Sequence, residues 1–255
     1  MRVVRLGRDE PGFAAEAARL RTASFPVALT GAGISVESGI PDFRSPGGLW
    51  TVFRPEEYAT LSAFRADPAK AWRLYRALGA ALLGRRPNPA HAALARLEDA
   101  GLLGQVVTQN IDGLHQTAGS RRVIEMHGDH RRLQCLACGR LEPFDEALLA
   151  AEGVPRCPAC DAALKPNVVL FEEAVRGLGE IDAALARCDL LLVVGTSAQV
   201  HPAASLPPVV RKRGGTILEF NLERTGIAAD CLFLGPAGET LPRFAAAVLG
   251  GDGRR

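Results

Sequence analysis

Four cysteines in two pairs, Cys135-x-x-Cys138 and Cys157-x-x-Cys160, constrain this 255-residue chain more than any other feature. Each pair suits a tight turn, and the 18 residues between them match zinc-ribbon spacing, in which four thiolates close a tetrahedron. A set without histidine or water is closed and structural, so no chemistry is expected at the metal. A redox dithiol or two disulfides are the alternatives, and the second pair favours zinc. Cys188 and Cys231 are left over, and Cys188 abuts an aliphatic run that reads as core.

Residues 1–12, MRVVRLGRDEPG, hold no apolar h-region and no small-residue cleavage site, so a cytoplasmic protein is expected. The longest aliphatic run, Leu190 to Val194, is far short of the ~20 apolar residues of a membrane-spanning helix. Lys+Arg 30 against Asp+Glu 28 leaves a net charge of +2, no footprint for general nucleic-acid binding. Hydrophobic residues at 47% and charged residues at 23% are ordinary globular usage, which excludes disorder, collagen and coiled coil. At about 150 residues per domain the length allows one to two domains.

Short apolar runs alternate with helical stretches. Strands are expected at Phe25 to Thr30, Gly104 to Thr108, Leu190 to Val194 and Thr216 to Phe220. Helices are expected at 13–23, 68–83, 91–100, 180–187 and 238–249. The alternation argues for an α/β fold, a parallel sheet with helices on both faces, whose ligands sit beyond the carboxyl ends of the strands.

Three of those strand ends carry small and polar residues. After the first, Gly31, Ala32, Gly33 and Ser35 let backbone approach a pyrophosphate, although a tight strand-to-helix turn explains the glycines equally. Gly39 adds a third glycine, but the spacing is not the standard dinucleotide fingerprint. Asp42, Phe43 and Arg44 then place acid, aromatic and cation together in a loop, where Arg44 can clamp phosphate. After the second, Gln109, Asn110, Ile111 and Asp112 suit hydrogen bonds to ribose hydroxyls and a carboxamide. Helix capping by Asn110 or Asp112 is the plainer alternative. After the third, Gly195, Thr196 and Ser197 can hold phosphate. Asn221 and Glu223 follow the fourth strand, where a carboxylate can bind ribose. His127 or His130 can serve as a general base near neutral pH, and spacing alone does not separate them.

Together these residues resemble the sirtuin (Sir2-like) family of NAD-dependent protein-lysine deacylases, from about residue 27 to 242, in an architecture like that of its bacterial members. The motifs are GAGISVESGIPDFR (31–44), TQNIDGLH (108–115), His127-Gly128, the two cysteine pairs, GTS (195–197) and NLE (221–223). The resemblance implies a Rossmann-like domain (1–127 and 166–255) with an inserted zinc-ribbon module (128–165), the helical segment 45–85 being a second contributor to the small domain. It implies NAD as co-substrate, one structural zinc, and acyl-lysine proteins or peptides as substrates. The acyl oxygen would attack the ribose carbon bearing nicotinamide, giving an alkylimidate. His127, with Asn110, would then complete the transfer to O-acyl-ADP-ribose.

Residue by residue, the resemblance puts Ala32, Ser35 and Arg44 at pyrophosphate and ribose. It puts Phe43 over the reacting sugar, Ile111 and Asp112 at the carboxamide, and Asn221, Glu223 and Cys231 at adenosine. Tyr75, Val168, Val169, Phe171 and Val200 would line the acyl-lysine side. Two departures stand out. Glu172 occupies a position where the family usually has glycine, and Leu78 occupies the arginine position of Tyr-x-x-Arg found in desuccinylating members. Deacetylation is therefore expected over desuccinylation. An ADP-ribosyltransferase on the same NAD site is the main rival, followed by a non-catalytic binding module and an NAD-dependent dehydrogenase. No membrane contact and no direct nucleic-acid binding are expected, and a monomer is favoured.

Overall fold

The computed structural model describes residues 1–5, 9–42 and 48–250. In chain order it runs β1 (Arg2–Arg5), α1 (Glu10–Thr22), β2 (Val27–Thr30), α2 (Pro55–Tyr58), α3 (Leu61–Ala66), α4 (Pro68–Leu82), α5 (Pro89–Asp99), β3 (Gln105–Thr108), α6 (Leu114–Thr117) and β4 (Val123–Glu125). It continues through β5 (Gly128–Cys135), β6 (Leu141–Pro143), β7 (Leu164–Val168), α7 (Leu178–Arg187), β8 (Leu190–Val194), α8 (Leu206–Lys212), β9 (Thr216–Asn221), β10 (Cys231–Leu234) and α9 (Ala237–Leu249).

Seven strands form one parallel sheet in the order β1-β10-β9-β8-β2-β3-β4. The central strands are aliphatic because they are covered on both faces. Their residues alternate between two cores. Leu190, Leu192 and Val194 join Phe13, Leu94, Phe220 and Phe244 beneath α1, α5 and α9. Leu191 and Val193 join Leu29, Ile181, Leu185 and Val210 beneath α7 and α8. Each fully buried aliphatic side chain contributes about 1.5–3 kcal/mol over its exposed state. From β2 the chain builds outward through β3 and β4, then returns to lay β8 on the opposite side. The topological switch point therefore falls between β2 and β8.

A second, antiparallel sheet, β6-β5-β7, lies with α3 and α4 around a third core. Trp72, Tyr75 and Phe64 pack there with Leu133, Leu164, Cys135 and Cys157. Asp67 sets the start of α4, accepting from the Lys70 amide at 2.9 Å, with Pro68 in the first helical turn. The expected helices and strands are present with ends shifted by at most three residues, and β8 matches at both ends. The edge strands β1 and β4, strand β10 beside β1, helix α8 and the small sheet were not anticipated. Among the described residues no helix is long and apolar enough to cross a membrane.

Candidate active site

A cavity of about 1000 Å³ opens at the carboxyl ends of β2, β3, β8 and β9, between the parallel sheet and α4 with β7. Every sequence-predicted cofactor or substrate residue among the described ones lines it, with one exception. The exception is Cys231. It begins β10 and pairs with Leu218, and it is Leu234 that stands opposite Asn221 at the cavity end of the sheet. Cys231 is fully buried in the core with Phe13 and Phe233, so the adenosine assignment is corrected to a packing role. Phe43 and Arg44 lie outside the described residues.

The glycines meet one another at the switch point. Gly33 N–H donates to the Gly195 carbonyl at 2.8 Å, and Gly31 N–H to that of Val194 at 3.1 Å. A Cβ on Gly33 would lie 2.8 Å from Gly195 Cα, and one on Gly195 (φ 59) would lie 2.3 Å from Ile34 N. These glycines are thus required by the close approach of the two strand-end loops, whatever ligand they face. Gln109 Nε2 donates to Thr196 Oγ1 at 2.8 Å, and Asn221 Nδ2 to the Thr196 carbonyl at 3.0 Å, so Thr196 ties three strand ends together.

The polar wall is a directed network. Asn110 Nδ2 donates to Ser35 Oγ (3.1 Å) and to the Gly31 carbonyl (3.1 Å), and Ser35 Oγ donates to Asp112 Oδ2 (2.7 Å). Asp112 Oδ1 meanwhile accepts from the Leu114 amide at 2.9 Å, an Asx turn one residue ahead of the helix N-cap, Gly113. Two residues behind the wall were not foreseen. His91 is fully buried, and burial pushes its pKa down to about 4. Its Nδ1 accepts from the Asn88 amide (3.3 Å), which leaves Nε2 protonated and 3.4 Å from Ser35 Oγ. Glu219, buried in β9, accepts from Asn221 and Thr225. His115 is structural, with Nε2 2.9 Å from Thr30 Oγ1.

His127 and His130 separate here. His130 is buried against Phe144, ring centroids 4.4 Å apart, behind α4, and does not line the cavity. His127 lines the cavity, and its Nδ1 lies 2.9 Å from the Gln109 carbonyl. A carbonyl only accepts, so Nδ1 carries the proton and Nε2 keeps its lone pair. Burial lowers the His127 pKa, and the Gln109 bond partly opposes this. The imidazole is therefore neutral at pH 7 and competent as a base. Turnover should be flat above neutrality and fall on acidification, as His127 takes a proton, with a midpoint below the ordinary 6.5. A pH profile of kcat/KM checks this, and a midpoint above 6.5 would contradict it.

The four cysteines converge. Their sulfurs all lie within 4.8 Å of one another, with Cys135–Cys160 at 3.5 Å and Cys138–Cys157 at 3.6 Å. A tetrahedron with ~2.3 Å metal–sulfur bonds has edges of about 3.8 Å, whereas a disulfide spans about 2.05 Å. The set fits one structural zinc. The two turns are built alike: Gly139 and Asp161 N–H donate to the Cys135 and Cys157 carbonyls, and both residues have positive φ.

On the opposite wall, α4 presents Leu74, Tyr75, Leu78 and Leu82. Arg76 turns away to the Leu148 and Gly153 carbonyls and over Trp72, so it does not replace the missing arginine. Fully buried Lys165 pairs with Glu173 at 3.0 Å and bonds the Val168 carbonyl, and Glu173 accepts from the Leu170 amide. This unforeseen pair braces the segment carrying Val168, Val169 and Phe171.

A family model described as the Sir2 family matches residues 31–202. A Thermococcus kodakarensis protein named NAD-dependent protein deacylase is 45% identical over 234 residues, 88% of this chain and 91% of that protein. A Sir2 homologue mutant in complex with 2′-O-acetyl ADP ribose superposes with TM-score 0.89 at 40% identity, over 94% of this chain and 98% of that one. The structure of Sir2Af2 bound to a myristoylated histone peptide gives TM-score 0.79 at 38% identity, over 94% and 97%. A family match spanning the cysteine cluster and the three glycine-bearing and polar strand ends, with relatives at this identity along most of the chain, makes the protein a member of the Sir2 family.

Proposed function

We propose that this protein is an NAD-dependent protein-lysine deacylase, consuming NAD and water to give nicotinamide, free lysine and O-acyl-ADP-ribose. The observation that carries the reading is His127: a neutral imidazole, oriented by the Gln109 carbonyl, in a cavity with one polar and one apolar wall. The polar wall of Ser35, Asn110, Asp112 and Thr196 would hold NAD, with Asn221 and Glu223 at its adenosine end. The apolar wall of Val168, Val169, Phe171 and α4 would hold the acyl-lysine. His127 Nε2 would take the proton of a ribose hydroxyl as that oxygen attacks the acyl carbon. The relatives' names and the bound acetyl-ADP-ribose and acylated peptide support this over ADP-ribosyl transfer to protein.

In this reading the large lobe comprises residues 1–127 and 166–255. Residues 128–165 and the helices of the 45–85 segment form the small lobe around zinc. The protein acts as a cytoplasmic monomer without binding nucleic acid directly.

The acyl group follows from α4. With Leu78 lining the cavity and Arg76 turned out of it, a succinyl carboxylate would be buried without a partner. That costs about 3 kcal/mol or more, ~100-fold in kcat/KM. Acetyl- and butyryl-lysine peptides should therefore turn over at least ~100-fold better than succinyl-lysine peptides. Steady-state kinetics on the three peptides tests this, and a succinyl preference would refute it.

A further inference from the structure

Glu172 lies at the cavity just beyond β7 and holds a left-handed backbone, φ 75. A side chain in that conformation carries a cost that glycine avoids, and such residues concentrate at functional sites. The Glu172 carboxylate accepts from the Ser62 amide at 2.9 Å and from its hydroxyl at 3.0 Å. Both donors are neutral, so its charge stays uncompensated among the described residues. Its neighbour Glu173, by contrast, is paired with Lys165. Arg224, a cation lining the same cavity, follows Glu223 at the adenosine end.

Backbone bonding then decides what passes beside this charge. Val169 N–H is taken by the His127 carbonyl, and Leu170 N–H by Glu173. Phe171 donates to the Ala59 carbonyl and accepts from the Leu61 amide, both at 3.0 Å. The Glu172 amide is the next along the segment and has no partner among the described residues. The Glu173 amide already donates to the Leu170 carbonyl at 3.0 Å, so an extended peptide meeting this segment can bond at the Glu172 amide, which brings the residues flanking its acyl-lysine alongside the carboxylate.

We propose that Glu172 is a specificity-determining residue that selects acyl-lysine peptides with an arginine or lysine within two positions of the target. The inference rests on the deacylase reading. The test is kcat/KM for acetyl-lysine peptides carrying a single arginine, alanine or glutamate at each flanking position, at low and high ionic strength. The wild-type protein should prefer arginine over glutamate by about two- to five-fold, the size of an exposed ion pair, and less so in high salt. The ratio should fall to about one in Glu172→Gln and invert in Glu172→Lys. Glu172→Gly, which relieves the backbone, should lose the preference as well, and this separates loss of charge from a folding defect. An unchanged ratio in Glu172→Gln, or no preference in the wild type, would overturn the proposal while leaving the deacylase reading intact. Failure to deacylate even the alanine-flanked peptide would overturn that reading and this one with it.

Discussion

Replacing His127 with alanine is expected to lower kcat/KM for deacylation by about 10²- to 10⁴-fold while NAD still binds. The split follows from where the ring sits. Among the described residues its ring makes one hydrogen bond, to the Gln109 carbonyl, whereas Ser35, Asn110 and Asp112 are held by one another and by backbone, and Thr196 by Gln109 and Asn221. Removing the imidazole deletes the lone pair that accepts a proton and leaves that polar wall intact. Calorimetric NAD titration beside peptide turnover separates the two effects. Retained turnover would exclude His127 as the base, and joint loss of binding and turnover would assign it a positioning role instead.

Cys157→Ser is expected to cost folding of the small lobe rather than activity alone. Apparent free energies of structural zinc binding are about 10–16 kcal/mol, of the same order as the 5–15 kcal/mol net stability of a whole domain. Cys157 and Cys135 are also buried members of the core formed with Trp72, Leu133 and Leu164. The consequence reaches the active site along one ladder. Cys135 pairs with Leu164, Leu133 with Pro166 and Gly128 with Val168, so β5, which ends at Cys135, adjoins His127 at its other end, and its partner β7 carries the cavity residue Val168. Metal content and thermal melting of the purified variant check this: zinc lost and the melting transition lowered or broadened. A soluble, active Cys157→Ser protein lacking zinc would contradict it.

What could be read from the chain was what is local in sequence. The cysteine pairs and the aliphatic run Leu190–Val194 each carry their meaning within a few residues. So do the polar turns after β2, β3 and β8, because parallel strands buried on both faces force their functional residues to their ends. What could not be read depends on contacts between distant segments. Spacing leaves His127 and His130 equal and only the resemblance chooses His127; the physical reason, the Gln109 carbonyl 18 residues away, appears in the fold. Cys231 was misplaced because β10 is only four residues long and its register with β9 decides which end meets the cavity. His91 looked like an ordinary helix residue until α5 packed it behind Ser35. Lys165 and Glu173 sit in one short segment, yet their pairing depends on a turn that no periodicity announces.

The central claim is that a ribose-bound product receives the acyl group from lysine. The most direct measurement is product stoichiometry after incubation with NAD and an acetyl-lysine peptide. Nicotinamide, deacetylated peptide and O-acetyl-ADP-ribose should appear in equal amounts, and none should appear without the peptide. Nicotinamide release accompanied by ADP-ribosylated protein, with the acetyl group still on lysine, would contradict the account.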